Sequence, residues 1–184
     1  SLVSPWMPNG TAARYLARQT VSERIRVLTG VADGLSFLHR HGVVHGDLKG
    51  ENVMIDMNFE PRIADFGLSK LLDEVSTNLT KTATGDALGS IRWTAPELFL
   101  TPGVNKWSDI WSFGMTMLEL FTNAPPYRDL TTDAQVIIMV HKGERPQRPS
   151  PRFGMDDDIW NLCCKCWSSN PELRPSTRVI AKQL

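Results

Sequence analysis

Apolar and polar positions fall along the chain in blocks that read as elements. Ile25, Leu28, Ala32, Leu35 and Leu38 recur at helical spacing behind Ser22, a capping type of residue. That pattern predicts a helix from Ser22 to His39 that stops at Gly42, with His39 and His41 at its exposed end. A shorter helix is expected from Thr11. Val43-Val44 and Val53-Met54-Ile55 are short apolar runs that predict buried strands, with the polar stretch between them a loop held at both ends. Arg62-Ile63-Ala64 is another strand-like run. Trp107 to Phe121 is apolar on nearly every face, which predicts a central helix rather than an amphipathic one. Asp133 to His141 predicts a helix with Val136, Ile137 and Val140 inward. Asp156 to Trp167 predicts another, with Leu162, Cys163, Cys166 and Trp167 inward and an acidic start that complements its dipole.

The connections have their own signals. Leu2 to Gly10 is a short apolar run closed by an Asn-Gly turn, and Asn123 to Tyr127 is rich in turn formers. Gly143 to Arg152 is dense in proline and arginine, as in a rigid surface connection; a recognition motif for partner domains is the weaker reading of its prolines. Asp73 to Gly89 is rich in Thr, Ser, Asn and Asp with few apolar anchors, which predicts a mobile surface loop. The last residues, to Leu184, run as a helix.

Composition bounds the function more than it defines it. A chain of 184 residues with 41% hydrophobic content suits one domain with a sizeable core. Lys and Arg number 20 and Asp and Glu 20, and no basic block or basic amphipathic face is present, so nothing points to nucleic acid or an anionic membrane. Cys163, Cys164 and Cys166 crowd one segment with no histidine pair to complete a zinc site; they predict thiols of a reducing, intracellular and cytoplasmic setting. No charged-then-apolar leader opens the chain. Asp109 and Glu119 interrupt its most apolar helix, so neither a signal peptide nor a membrane span is expected.

The candidate chemistry lies in His45-Gly46-Asp47-Leu48-Lys49-Gly50-Glu51-Asn52, between the two apolar runs. Asp47 offers a carboxylate, Lys49 a cation and Asn52 an amide oxygen able to ligate a hard metal ion, an inventory suited to moving a phosphoryl group. Singly, such residues are turn formers or solvated charges. Together, followed by Asp65-Phe66-Gly67, by Gly89-Ser90-Ile91-Arg92-Trp93-Thr94-Ala95-Pro96-Glu97 and by Asn170-Pro171-Glu172-Leu173-Arg174-Pro175-Ser176, they resemble the catalytic domain of a protein kinase.

The resemblance covers nearly the whole chain and implies an α+β, mainly helical fold: residues 1–184 as the large lobe of a kinase domain, with small β-hairpins around the catalytic loop. It implies ATP and Mg²⁺ as cofactors and proteins as substrates. It makes Asp47 the base for the substrate hydroxyl, puts Lys49 beside the γ-phosphate, and has Asn52 and Asp65 hold the metal. Pro5 and Met7 fall in the hinge against the adenine edge, Ser4 at the gatekeeper position, and Met54 on the floor of the adenine pocket. As residues alone, Trp6 and Met7 read equally well as core filling. Asp109 would receive backbone N–H groups from the catalytic loop, His45 would anchor it, and Arg174 would pair with Glu97. Ser76, Thr77, Thr80, Thr82 and Thr84 become candidate phosphosites. Lys49 with Ser90 matches serine/threonine kinases, while Arg92-Trp93-Thr94 occurs in tyrosine kinases too, which points to the tyrosine-kinase-like group, with dual specificity open.

Two departures qualify that picture. Gly46 stands where the family commonly has an arginine that pairs with a phosphorylated residue, so control by activation-segment phosphorylation is expected to be weak or absent. The Gly-rich loop, the strand lysine and the helix glutamate of the small lobe do not occur in residues 1–184. Taken alone the chain is expected to transfer phosphate poorly or not at all. A second reading follows, a kinase-like fragment or pseudokinase that acts as a protein-interaction module.

Overall fold

The computed structural model describes residues 5–65, 70–71, 90–101 and 103–184, with only the backbone of 70–71. Outside them lie Ser4 and the start of the first apolar run, Phe66 and Gly67, and the polar stretch 73–89 with its five candidate phosphosites.

The chain enters through a short helix α1, Ala12–Tyr15, capped by the Thr11 hydroxyl, and then a long helix α2, Val21–Arg40. Thr20, not Ser22, caps α2: its side chain accepts the Glu23 N–H at 3.2 Å, and Ser22 already lies within the helix. Both residue types suit the position, and only the extended backbone at Thr20 decides between them. Leu28, Ala32 and Leu35 are fully buried as their spacing predicts, joined by Val27 and Val31. Ile25 and Leu38 sit half-buried at the edges of that face.

Among the described residues four short strands make two antiparallel pairs. β1, Val43–Val44, pairs with β4, Lys70–Leu71. β2, Val53–Ile55, pairs with β3, Pro61–Ile63, in the register Val53 to Ile63, Met54 to Arg62 and Ile55 to Pro61. Residues 45–52 leave β1 and enter β2, which holds this loop at both ends.

Five helices complete the described chain: α3, Pro96–Leu100; α4, Lys106–Thr122; α5, Asp133–His141; α6, Asp157–Cys166; and α7, Thr177–Gln183. The mainly helical architecture that the resemblance implies is the one observed among the described residues. Every residue of α4 from Ser108 to Phe121 is buried. Trp107, in its first turn, is the exception at 37% exposed. A capping box formed by Asn105 and Ser108 starts α4, and Asn123 ends it in the left-handed conformation at φ 52°. Burying a large aliphatic or aromatic side chain contributes roughly 1.5–3 kcal/mol, so the fully buried Trp111, Phe113, Met115 and Met117 make α4 a main source of stability.

Arg174, 3% exposed, donates to both Glu97 carboxylate oxygens at 2.6 and 2.8 Å and to the Trp107 and Ser168 carbonyls at 2.9 and 3.1 Å. Its guanidinium lies 5.2 Å from the centre of the Trp111 ring, with Arg145 at 4.6 Å from the same centre. Leu162, Cys163, Cys166 and Trp167 face the core from α6 as predicted, and all three cysteines are free thiols. No described helix is long and apolar enough to cross a membrane.

Candidate functional site

The start of the loop 45–52 is held by a buried carboxylate. Asp109 on α4, 1% exposed, accepts the backbone N–H of His45 on Oδ2 at 2.9 Å and that of Gly46 on Oδ1 at 2.8 Å. His39 adds a third bond, from Nε2 to Asp109 Oδ2 at 2.8 Å. His39 is therefore buried, at 9% exposed, and not at an open helix end as its position in the sequence suggested. The last turn of α2 packs onto α4, and a histidine there can meet the acid that holds the loop. His41, one residue past the helix, is the exposed one and bonds to the Phe37 carbonyl.

His45 ties the loop to β3. Its Nδ1 accepts the Asp47 N–H at 3.1 Å, so its hydrogen is on Nε2, which donates to the Ala64 carbonyl at 3.0 Å. Gly46 has φ 83°, a left-handed conformation that favours glycine at this bend.

The predicted catalytic side chains meet. Asn52, 7% exposed, donates from Nδ2 to the Asp47 carbonyl at 2.7 Å and to Asp47 Oδ2 at 2.9 Å. Lys49 Nζ lies 3.4 Å from the same Oδ2 and donates to Ser90 Oγ at 2.8 Å. Ala64 donates its backbone N–H to the Asn52 carbonyl at 2.8 Å, which brings Asp65, exposed and at φ 59°, to the end of the same hairpin. With its amide nitrogen committed to Asp47, Asn52 keeps Oδ1 as the atom for an oxygen-seeking cation. Among the described residues no cluster of three His, Cys, Asp or Glu could hold a metal. A cation here would take one amide and one carboxylate oxygen from the protein and complete its shell with water and phosphate, the manner of Mg²⁺.

The turn that follows the segment expected at the adenine edge meets β2. Ile55 donates to the Gly10 carbonyl at 2.8 Å, Thr11 pairs with Met54, and Asn9 Nδ2 reaches the Asp56 carbonyl at 2.6 Å. Met7 and Met54 are half-buried and Pro5 is exposed. Trp6 is 87% exposed, so the core-filling alternative fails for it.

One member of the site was not picked out by sequence reasoning. Glu119 of α4 is 8% exposed, and its Oε2 accepts the Gly50 N–H and the Trp93 indole N–H, both at 2.9 Å. Burial pushes its carboxyl up, partly countered by those two donors. An acid inside a helix apolar on nearly every face is the signal that could have found it; the role of Asp109 on the same helix was implied by the kinase resemblance.

The chain matches, over residues 1–184, the family described as protein tyrosine and serine/threonine kinase. It belongs to the protein kinase family. Similar proteins include mitogen-activated protein kinase kinase kinase 12 of Rattus norvegicus, 36% identical over 155 residues, covering 84% of this chain and 16% of that protein. A probable serine/threonine-protein kinase of Dictyostelium discoideum is 32% identical over 154 residues, covering 84% of this chain and 11% of that protein. Tyrosine-protein kinase SPK-1 of Girardia tigrina is 29% identical over 192 residues, covering 100% of this chain and 38% of that protein. The chain thus spans between 11% and 38% of the length of these relatives, which include both acceptor classes.

Proposed function

We propose that residues 1–184 are the large lobe of a protein kinase whose complete form transfers the γ-phosphoryl group of ATP to serine or threonine hydroxyls of protein substrates. The observation that carries this reading is the single hydrogen-bonded set of Asp47, Asn52, Lys49 and Ser90, with Asp65 next in the chain to Ala64, which bonds to Asn52.

Asp47 has Oδ2 engaged by Asn52 and Lys49, so Oδ1 is the oxygen that takes the proton from the substrate hydroxyl. Lys49 brings positive charge beside the transferred group, and its bond to Ser90 holds it there. Asn52 through Oδ1 and Asp65 through its carboxylate would hold Mg²⁺, which would supply charge neutralisation at the nucleotide phosphates. Met54 would floor the adenine pocket, and the backbone at Pro5 and Met7 would border it, Pro5 through its carbonyl alone. The serine/threonine preference rests on the Lys49 and Ser90 pair and on the serine/threonine-protein kinases among the relatives.

The test is a melt of the full-length protein with and without saturating Mg²⁺-ATP. A ligand at a hundred times its Kd stabilises by about 2.7 kcal/mol, roughly 5–10 °C at about 2–4 °C per kcal/mol. The rise should need Mg²⁺ and vanish in Asp65→Ala, and peptide phosphorylation should vanish in Asp47→Asn. A rise unchanged by Asp65→Ala, or phosphorylation that persisted in Asp47→Asn, would sink the assignment.

A further inference from the structure

Helices α2, α4 and α7 border a groove of about 1250 Å³ that none of Asp47, Lys49, Asn52 or Asp65 lines. Four cations stand on its walls: Arg40 at the end of α2, Lys106 at the first position of α4, and Arg178 and Lys182 of α7. Among the described residues Asp33 of α2 is the one carboxylate on those walls. None of the four cations forms an ion pair or a side-chain hydrogen bond among the described residues. Elsewhere Arg26, Arg62, Arg92, Arg148 and Arg174 all meet carboxylates.

Arg178 and Lys182 lie four positions apart on α7 and therefore on one face, where like charges repel. Folding alone gives no reason to gather them with Arg40 and Lys106 around one hollow and leave all four without an acid. Trp107, the exposed residue in the first turn of α4, lines the same groove and gives it an apolar surface. An occupant must then bring carboxylates for the cations and an apolar side chain for the indole, a residue type that often anchors interfaces.

Size and charge narrow the class of occupant. The volume exceeds the roughly 300–1,000 Å³ of a small-molecule pocket and suits a length of polypeptide. A bilayer is flat on this scale and cannot enter a hollow. Domains that bind nucleic acid carry a basic excess, whereas this chain has 20 basic and 20 acidic residues. We propose that the groove docks an acidic segment of a partner protein, a run of Asp and Glu with a bulky apolar residue among them. The carboxylates meet Arg40, Lys106, Arg178 and Lys182, and the apolar side chain packs on Trp107. None of these residues belongs to the catalytic set, so the groove adds a means of holding a substrate or regulator to the chemistry proposed above.

The experiment uses the full-length protein and a short fluorescein-labelled peptide of Glu and Asp around a central Phe, read by fluorescence anisotropy at low and raised salt. The peptide should bind saturably, and its counterpart with Gln and Asn in place of the acids should not. Affinity should fall by about tenfold or more, equivalent to about 1.4 kcal/mol, in Arg178→Glu with Lys182→Glu, and by a similar factor in Arg40→Glu with Lys106→Glu. It should also fall as salt rises, because exposed charges are screened over about 8–10 Å. Arg18→Glu with Lys142→Glu makes the same change in net charge outside the groove and should leave affinity within about twofold. All variants should melt close to the parent, since the replaced groove side chains hold no bond. No saturable binding, equal binding of the neutral peptide, or a loss as large in the Arg18 and Lys142 variant would overturn the proposal. So would a loss confined to one of the two groove pairs, or one explained by a lower folded fraction. A single-stranded oligonucleotide of equal charge, or phosphatidylserine vesicles, bound more tightly than the peptide and released by the same groove substitutions would overturn it in favour of nucleic acid or membrane.

Discussion

Replacing Arg174 by Ala is the sharpest test of how the fold is held together. The guanidinium has no solvent-exposed side-chain surface and forms four bonds, two to Glu97 and one each to the Ser168 and Trp107 carbonyls. Truncation leaves a carboxylate that is only 26% exposed and two carbonyls short of a donor, and it opens one face of Trp111. Removing one member of a buried ion pair costs about 3–5 kcal/mol, because the partner charge stays behind. At about 2–4 °C per kcal/mol for a domain of this size, the midpoint should fall by roughly 6–20 °C. Thermal melts of parent, Arg174→Ala, Glu97→Ala and the double variant would measure it. The two single losses should add to clearly more than the loss in the double variant, by about 0.5–3 kcal/mol of coupling. An Arg174→Ala protein that melts with the parent, or strictly additive losses, would refute the pairing as a source of stability.

Other expectations can be checked cheaply. Burial raises the thiols of Cys163, Cys164 and Cys166, so a neutral-pH thiol reagent should label at most the exposed Cys164 in the native protein and all three after denaturation; native labelling of Cys163 or Cys166 would contradict their packing. Gly46 carries no cation to receive a phosphate, and its N–H is already held by Asp109, so phosphatase treatment of the active full-length protein should leave its phosphorylation rate unchanged, and a loss of activity would show another cation in that role.

Much of the framework was legible in the sequence because its signals are periodic or local. The apolar spacing of Leu28, Ala32 and Leu35 placed α2, a run apolar on nearly every face placed α4 at the centre, and the acidic residues from Asp156 marked the start of α6. The cluster Asp47, Lys49 and Asn52 could be seen because its members lie within six consecutive positions. What stayed hidden depends on contacts between residues far apart in the chain. His39 looked exposed because nothing local reveals that Asp109, 70 residues later, would pack against it. Glu119 looked like an interruption of an apolar helix because its donors, Gly50 and Trp93, lie 69 and 26 residues away. Thr20 and Ser22 are equally good caps in composition, and Trp6 carries no local sign of its exposure.

The two acids of α4 give the site a fixed length scale. Asp109 grips residues 45 and 46, Glu119 grips residue 50, and ten helical positions separate them. At about 1.5 Å and 100° per residue, that interval is roughly 15 Å along the axis with the grips about 80° apart around it. The short, irregular loop thus takes its dimensions from a rod of regular pitch rather than from its own backbone. Surface connections such as 123–132 or 142–156 can change in length without altering that interval. One residue gained or lost between the two acids would turn one grip through about 100° and uncouple the loop from its measure.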